Sequence, residues 1–272
     1  MTHITTAGEF GAALRTRRRE LGLLRSHALP EVSPEGTVAR SMWRAVLPFA
    51  ADRFMTPMAA VAGAVAEAVL AAMVEAAELE RAAVNNGGDI ALHLAPGASL
   101  AIGLIDRDDR PSLLGKARIQ ADTAVRGIAT SGWRGRSFSL GIADVVTVLA
   151  RTAPEADAAA TAIANAVDLP RHPAVTRRPA VALRPDNDLG ERLVTTAVGA
   201  LSPADRTRAL EAGVIEAERL RRRGLIVAAA LHLQGETRTV ANEWAQTPPN
   251  PIDKPLAKMG SDPMADLWSH HA

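Results

Sequence analysis

Three short segments carry residues whose types and spacing suit the handling of a phosphorylated ligand. The first is Asn85-Asn86-Gly87-Gly88-Asp89. Two adjacent glycines let a ligand lie against the peptide plane, and the asparagines and Asp89 supply polar groups at the rim. The same five residues also describe an ordinary hairpin turn. The second segment is Gly127-Ile128-Ala129-Thr130-Ser131-Gly132-Trp133-Arg134-Gly135-Arg136. Its hydroxyls, glycines and two arginines can hold phosphate by backbone N–H, side-chain hydroxyl and guanidinium together. Trp133 can stack on a flat ring, although an exposed turn would have the same composition. The third is Asp157 with Thr161, inside Pro154-Glu155-Ala156-Asp157-Ala158-Ala159-Ala160-Thr161. Spacing of i and i+4 puts both oxygens on one helical face, which the intervening alanines leave open. Magnesium takes hard oxygen ligands, one or two from protein and the rest from phosphates and water. A carboxylate in a first helical turn has a plainer role as a partner of the helix dipole.

Much other chemistry is excluded. The chain of 272 residues has no cysteine and no tyrosine, which removes disulfides, thiolate metal sites, cysteine nucleophiles and a common general acid. The standard dinucleotide, P-loop, zincin and serine-hydrolase spacings are missing. His93 and His232 fall on expected strands and read as satisfied structural residues. Thirty-one basic residues against thirty acidic give a net charge of +1, so no global field favours nucleic acid or an anionic membrane. Met1–Phe10 has no apolar core, and Met58–Val74 is interrupted by Glu67 and followed by Glu75. A buried helix rather than a span is expected there, in a soluble, cytoplasmic protein.

The elements that must position these residues follow from pattern. Glu9–Ser26 and Thr37–Val46 are expected helices. Thr56 reads as an N-cap with Pro57 at the first helical position, opening a helix over Met58–Arg81 whose small residues, Gly63 among them, permit close approach of another backbone. Strands are expected at Asp89–Leu94, Ser99–Ile105, Ala117–Ala129, Ser137–Ala150 and Leu193–Leu201, and a helix at Pro154–Val167. Pro170–Gly190 reads as a loop. Ser202-Pro203-Ala204-Asp205 starts a helix that Gly224 stops. A last hairpin forms over Leu225–Gln234 and Thr237–Val240. The organisation expected is a single α+β domain over residues 1–240 and a proline-rich tail over 241–272. The alanine-rich helix and the tail favour a homo-oligomer.

Taken in order, Asn86-Gly87-Gly88-Asp89, Ala129-Thr130-Ser131-Gly132 and Ala156-Asp157-Ala158-Ala159-Ala160-Thr161 resemble the ApbE superfamily, the FAD:protein FMN transferases. Thr56-Pro57-Met58-Ala59-Ala60-Val61-Ala62-Gly63 and Thr130-Ser131-Gly132-Trp133-Arg134-Gly135 are similar to an uncharacterised cytosolic branch of it, with likeness running from about Ala7 to Val240. The resemblance implies a T-fold-like α+β architecture, antiparallel sheets backed by helices, with FAD (or FMN) bound. It implies that Asp157 and Thr161 hold Mg2+ and act in catalysis, and that Asn86, Gly87, Gly88, Asp89, Thr130, Ser131, Gly132 and Arg134 bind the cofactor. FMN transfer from FAD to an acceptor hydroxyl is the activity implied, with an acceptor protein as partner. Where the transferases carry a His-Ile-Ile-Asp-Pro-type stretch, this chain reads Ser139-Leu140-Gly141-Ile142-Ala143-Asp144. A flavin-binding accessory protein without turnover, or another small-molecule enzyme on a T-fold scaffold, therefore stand beside transfer as alternatives.

Overall fold

The computed structural model describes residues 20–105 and 113–241. Its central feature is an antiparallel six-stranded sheet in the order β1-β2-β5-β6-β9-β10. These strands are β1 (Arg81–Asn86), β2 (Asp89–Leu94), β5 (Gly127–Ser131), β6 (Val145–Ala150), β9 (Ala228–Leu233) and β10 (Glu236–Val240). Two further hairpins stand apart, β3 (Ser99–Ile105) with β4 (Leu113–Gln120), and β7 (Val175–Pro179) with β8 (Leu193–Val198). The helices are α1 (Thr37–Ala50), α2 (Val61–Ala76), α3 (Ala153–Ala166), the short α4 (Ala180–Leu183) and α5 (Pro203–Arg222), with a 3-10 turn at Pro57–Ala60. The class is thus mixed α and β with antiparallel sheets, as expected.

Helix α3 is the hub of the core. It lies against β5 and β6, with α1, α2 and α5 packed around it. Nine of its 14 residues are buried, and seven of those nine are alanine. Such short side chains let neighbouring backbones approach closely, and larger residues from around the hub (Phe49, Ile142, Leu210, Leu231) fill the remaining space. Thr152 caps α3 by accepting the Glu155 N–H.

Sequence and structure differ at several boundaries, most of them for a non-local reason. Helix α1 continues beyond Val46 through Pro48, because Phe49 and Ala50 are buried by doing so. The helix expected to run to Arg81 ends at Ala76; Arg81–Asn86 instead pair with β2, from Arg81 opposite Leu94 to Asn86 opposite Asp89. The buried helix expected here is α2, buried along one face. Together with the preceding 3-10 turn, over Pro57–Ala76, it is long and apolar enough to cross a membrane by length and composition, yet it buries one face (Gly63, Ala64, Ala66, Leu70) and exposes Val65, Val69 and Met73 on the other.

The single strand expected at 117–129 is two, broken where the Arg126 guanidinium donates to the carbonyls of Ala121, Thr123 and Val125. Within 137–150 only Val145–Ala150 is strand. Residues 139–142 are held under the end of α3, where the Leu140 N–H meets the Asn165 side chain and the Ile142 N–H meets the Val167 carbonyl. The expected loop at 170–190 contains β7 and α4. The expected helix over 9–26 lies mostly outside the described residues, which take it up from residue 20, and 242–272 of the tail lie outside them too.

Other local signals carry through directly. Ser202 caps α5 through the Asp205 N–H at 3.1 Å, and Gly224 ends the helix region with φ of 71°. Ser202→Ala is expected to lower stability by about 1 kcal/mol, read as a lower urea midpoint at unchanged slope.

Candidate functional site

Asp157 belongs to α3, but its carboxylate serves the start of α2. Helix α2 has no side-chain cap of its own, since Ala60 occupies the N-cap position. Its first-turn donors, which have no partner within the helix, need an acceptor, and Asp157 Oδ2 accepts the Gly63 N–H at 3.0 Å, with the Ala62 N–H also directed at the carboxylate. This arrangement requires the two helix starts to touch. A methyl group on Gly63 would stand 2.4 Å from the Ala153 carbonyl oxygen, so no larger residue fits without separating α2 from α3.

The β1–β2 hairpin brings the second carboxylate. Gly87 and Gly88 turn the chain with φ of 72° and 109°, a region that suits glycine. The Asn85 side chain accepts the Gly88 N–H at 2.9 Å, and the Asn86 side chain donates to the Ala62 carbonyl at 3.2 Å, tying the hairpin to α2. Asp89 follows, 8% exposed, with Oδ1 accepting the Thr130 N–H of β5 at 3.1 Å. The Thr130 hydroxyl lies 3.4 Å from that of Thr147.

Burial drives the electrostatics. It pushes the Asp89 carboxyl up to about 6, against the opposing pull of the Thr130 N–H and the Arg136 charge. Asp157 is raised well above the ordinary carboxylate range, first by burial and then by the negative charge of Asp89; the Gly63 and Ala62 N–H groups work the other way. Two carboxylates from distant parts of the chain therefore share one electrostatic environment. Thr161 sits one turn beyond Asp157 on α3, partly exposed.

Asn86, Gly87, Gly88, Asp89, Thr130 and Asp157 are thus brought together. Gly132 and Arg134 are held around Asp144 instead. A methyl group on Gly132 would lie 2.2 Å from the Asp144 carbonyl oxygen, and Asp144 Oδ1 accepts from Arg134 Nε at 2.8 Å and from Trp133 Nε1 at 3.1 Å. The Arg134 guanidinium also lies 4.4 Å from the Trp133 ring centre. Asp144 Oδ2 accepts the Gln234 N–H at 2.7 Å, which links this loop to the β9–β10 turn. Ser131 closes β5 opposite Val146. His93 and His232 have structural partners, the Leu79 carbonyl and the Thr237 hydroxyl.

Sequence reasoning did not single out the Ala62 and Gly63 N–H groups or Asp144 as contributors, and it did not separate the roles of Arg134 and Arg136. The Gly63 and Ala62 N–H groups are backbone, although the small-residue run Thr56–Gly63 marked a close approach. Asp144 organises the Trp133–Arg134 loop through contacts no spacing reveals. Arg136 reaches Gly87, whereas Arg134 does not.

By architecture and site, the chain is an antiparallel α+β protein with a paired-carboxylate site at the junction of two helix starts and a glycine hairpin. It belongs to the ApbE-like family described as AbpE bacteria, whose model matches residues 2–239. It is 44% identical over 135 residues to a UPF0280 protein of Methanopyrus kandleri, covering 50% of each chain. A UPF0280 protein of Methanothrix thermoacetophila is 43% identical over 112 residues, 41% of this chain and 46% of its own. One from Archaeoglobus fulgidus is 39% identical over 111 residues, 41% and 44% of the two chains. The chain spans about half the length of the curated relatives it matches.

Proposed function

We propose that the chain binds a flavin dinucleotide at this junction and transfers its FMN half to an acceptor hydroxyl. The observation that carries the proposal is the convergence of Asp157, Asp89, the Gly87-Gly88 turn and Thr130, contributed by α3, β2, the hairpin and β5. An ApbE-like family and an antiparallel sheet backed by helices support the same conclusion, and the T-fold-like relation is part of it.

The residues fit a divalent cation that takes much of its coordination from its ligand. Among the described residues no group of three or more acidic, histidine or cysteine side chains could hold a metal, so Asp157 and Thr161 would supply hard oxygens while phosphate and water supply the rest. A cation so held neutralises pyrophosphate charge and makes AMP a better leaving group. The bond made joins the acceptor oxygen to the phosphorus beside riboflavin. The bond broken is the pyrophosphate bridge, AMP departing with the bridging electron pair and the hydroxyl proton passing to base. The Gly63 and Ala62 N–H groups fix the Asp157 carboxylate, and the Thr130 N–H fixes Asp89.

One observation favours a second function, flavin retention without turnover. The segment Ser139–Asp144 offers no histidine, and its Asp144 is engaged by Trp133, Arg134 and Gln234. Incubation with FAD and Mg2+ separates the two. AMP release with a flavinylated acceptor is the result expected for transfer; FAD retained on the purified protein with no AMP identifies the accessory role. A chain that takes up no FAD would overturn both.

A further inference from the structure

Arg136 stands apart from the other arginines around the site. Arg134 is fixed by Asp144 and Trp133, and Arg126 by three carbonyl oxygens of its own turn. Arg136 instead crosses to the glycine hairpin. A methyl group on Gly87 would lie 2.9 Å from its Nη2, so the absence of a side chain there is what lets the guanidinium rest against the turn. Its side of the hairpin is exposed. Its positive field reaches the Asp89 carboxylate, yet among the described residues it forms neither a hydrogen bond nor an ion pair.

A guanidinium carries five donors in a planar fork, and its geometry matches a phosphate oxygen pair. Here that fork is delivered to the rim of a site whose interior holds two carboxylates. An anion arriving with a divalent cation would find both halves of its charge met, the cation by carboxylate oxygen and the remaining phosphate oxygens by Arg136. Asp89 and Asp157 without the arginine would repel the same ligand. Gly87 lies beside the Arg136 guanidinium, and the Asp89 carboxylate feels its charge.

We infer that Arg136, resting on Gly87, is the residue that grips a phosphate oxygen of the bound nucleotide and so selects phosphorylated ligands over uncharged ones. The inference rests on the proposed nucleotide site and deepens it by assigning the phosphate contact to Arg136 rather than Arg134.

The test compares the wild-type protein with Arg136→Gln and Arg136→Lys, titrated with inorganic pyrophosphate plus Mg2+, with FAD plus Mg2+, and with riboflavin. Arg136→Gln is expected to weaken pyrophosphate and FAD about tenfold to a hundredfold and to leave riboflavin affinity unchanged. Lysine, a point charge without the fork, is expected to recover part of the loss. Arg136 is exposed, so both variants should melt with the wild type, which a thermal scan checks. Unchanged pyrophosphate affinity in Arg136→Gln, or equal loss for FAD and riboflavin, overturns the assignment. If the wild type binds pyrophosphate through Arg136 but takes up no FAD, the flavin proposal fails while the phosphate assignment stands. If it binds neither, both fail.

Discussion

Ligand-free Asp157→Asn protein is expected to melt above the wild type at pH 7, and to lose magnesium-dependent uptake of FAD. The gain arises because burial and the neighbouring Asp89 carboxylate make the charged form of Asp157 costly in the fold, and both carboxylates are displaced upward from the ordinary range. Asparagine keeps an oxygen that can accept the Gly63 N–H, so the cap on α2 survives while the repelled charge goes. For Asp89, a folded value of about 6 against an unfolded value near 3.8 corresponds to a cost on the order of 2–3 kcal/mol at neutral pH. The direction with pH follows from proton binding. Between about 4 and 6 the folded chain holds a proton on Asp89 that the unfolded chain has released, so stability falls as pH rises through that window. Wild type should therefore lose more melting temperature between pH 5 and pH 7 than Asp89→Asn does. Differential scanning calorimetry at the two pH values, with and without Mg2+, measures all of this. An Asp157→Asn protein no more stable than wild type, or one whose FAD uptake still needs magnesium, would contradict the assignment. Carboxylates kept at a stability cost are the usual mark of a site selected for a ligand.

Gly63→Ala is expected to be among the most damaging single-methyl changes in the chain, lowering stability by about 3 kcal/mol or more. The added carbon would stand 2.4 Å from the Ala153 carbonyl oxygen, 2.6 Å from its carbon and 2.8 Å from the Pro154 nitrogen. All three neighbours are backbone, so no rotamer change can relieve the contact and α2 must move off α3. The Gly63 N–H then leaves Asp157, and Asn86, which bonds the Ala62 carbonyl, loses its anchor as well. Weakened ligand binding should accompany the lower melting temperature. Gly22→Ala is the control: a methyl group there meets nothing within 4 Å, and the change should be neutral or slightly stabilising. A Gly63→Ala protein that melts with the wild type would show that the helix starts are not in the contact described.

Residue types and short-range spacing determined a good deal by themselves. The absence of cysteine and tyrosine limited the chemistry, the glycine pair set the β1–β2 turn, and Ser202 and Gly224 set the ends of α5, because each of these effects acts over a few bonds. Alanine spacing identified α3 and its Asp157–Thr161 face for the same reason. Tertiary structure decided what those groups meet. Helix propensity could not stop α2 at Ala76, since only pairing with β2 makes Arg81–Asn86 a strand. Nothing local distinguishes Arg134 from Arg136; a carboxylate at Asp144 claims one, and a bare glycine at Gly87 receives the other. Asp157 reads from its own helix as a dipole partner, yet the start it caps belongs to α2. Electrostatic character comes from burial and from charges that chain folding imports, and both are sums over neighbours distant in sequence, so a motif can nominate a carboxylate while only packing sets its charge and its partners.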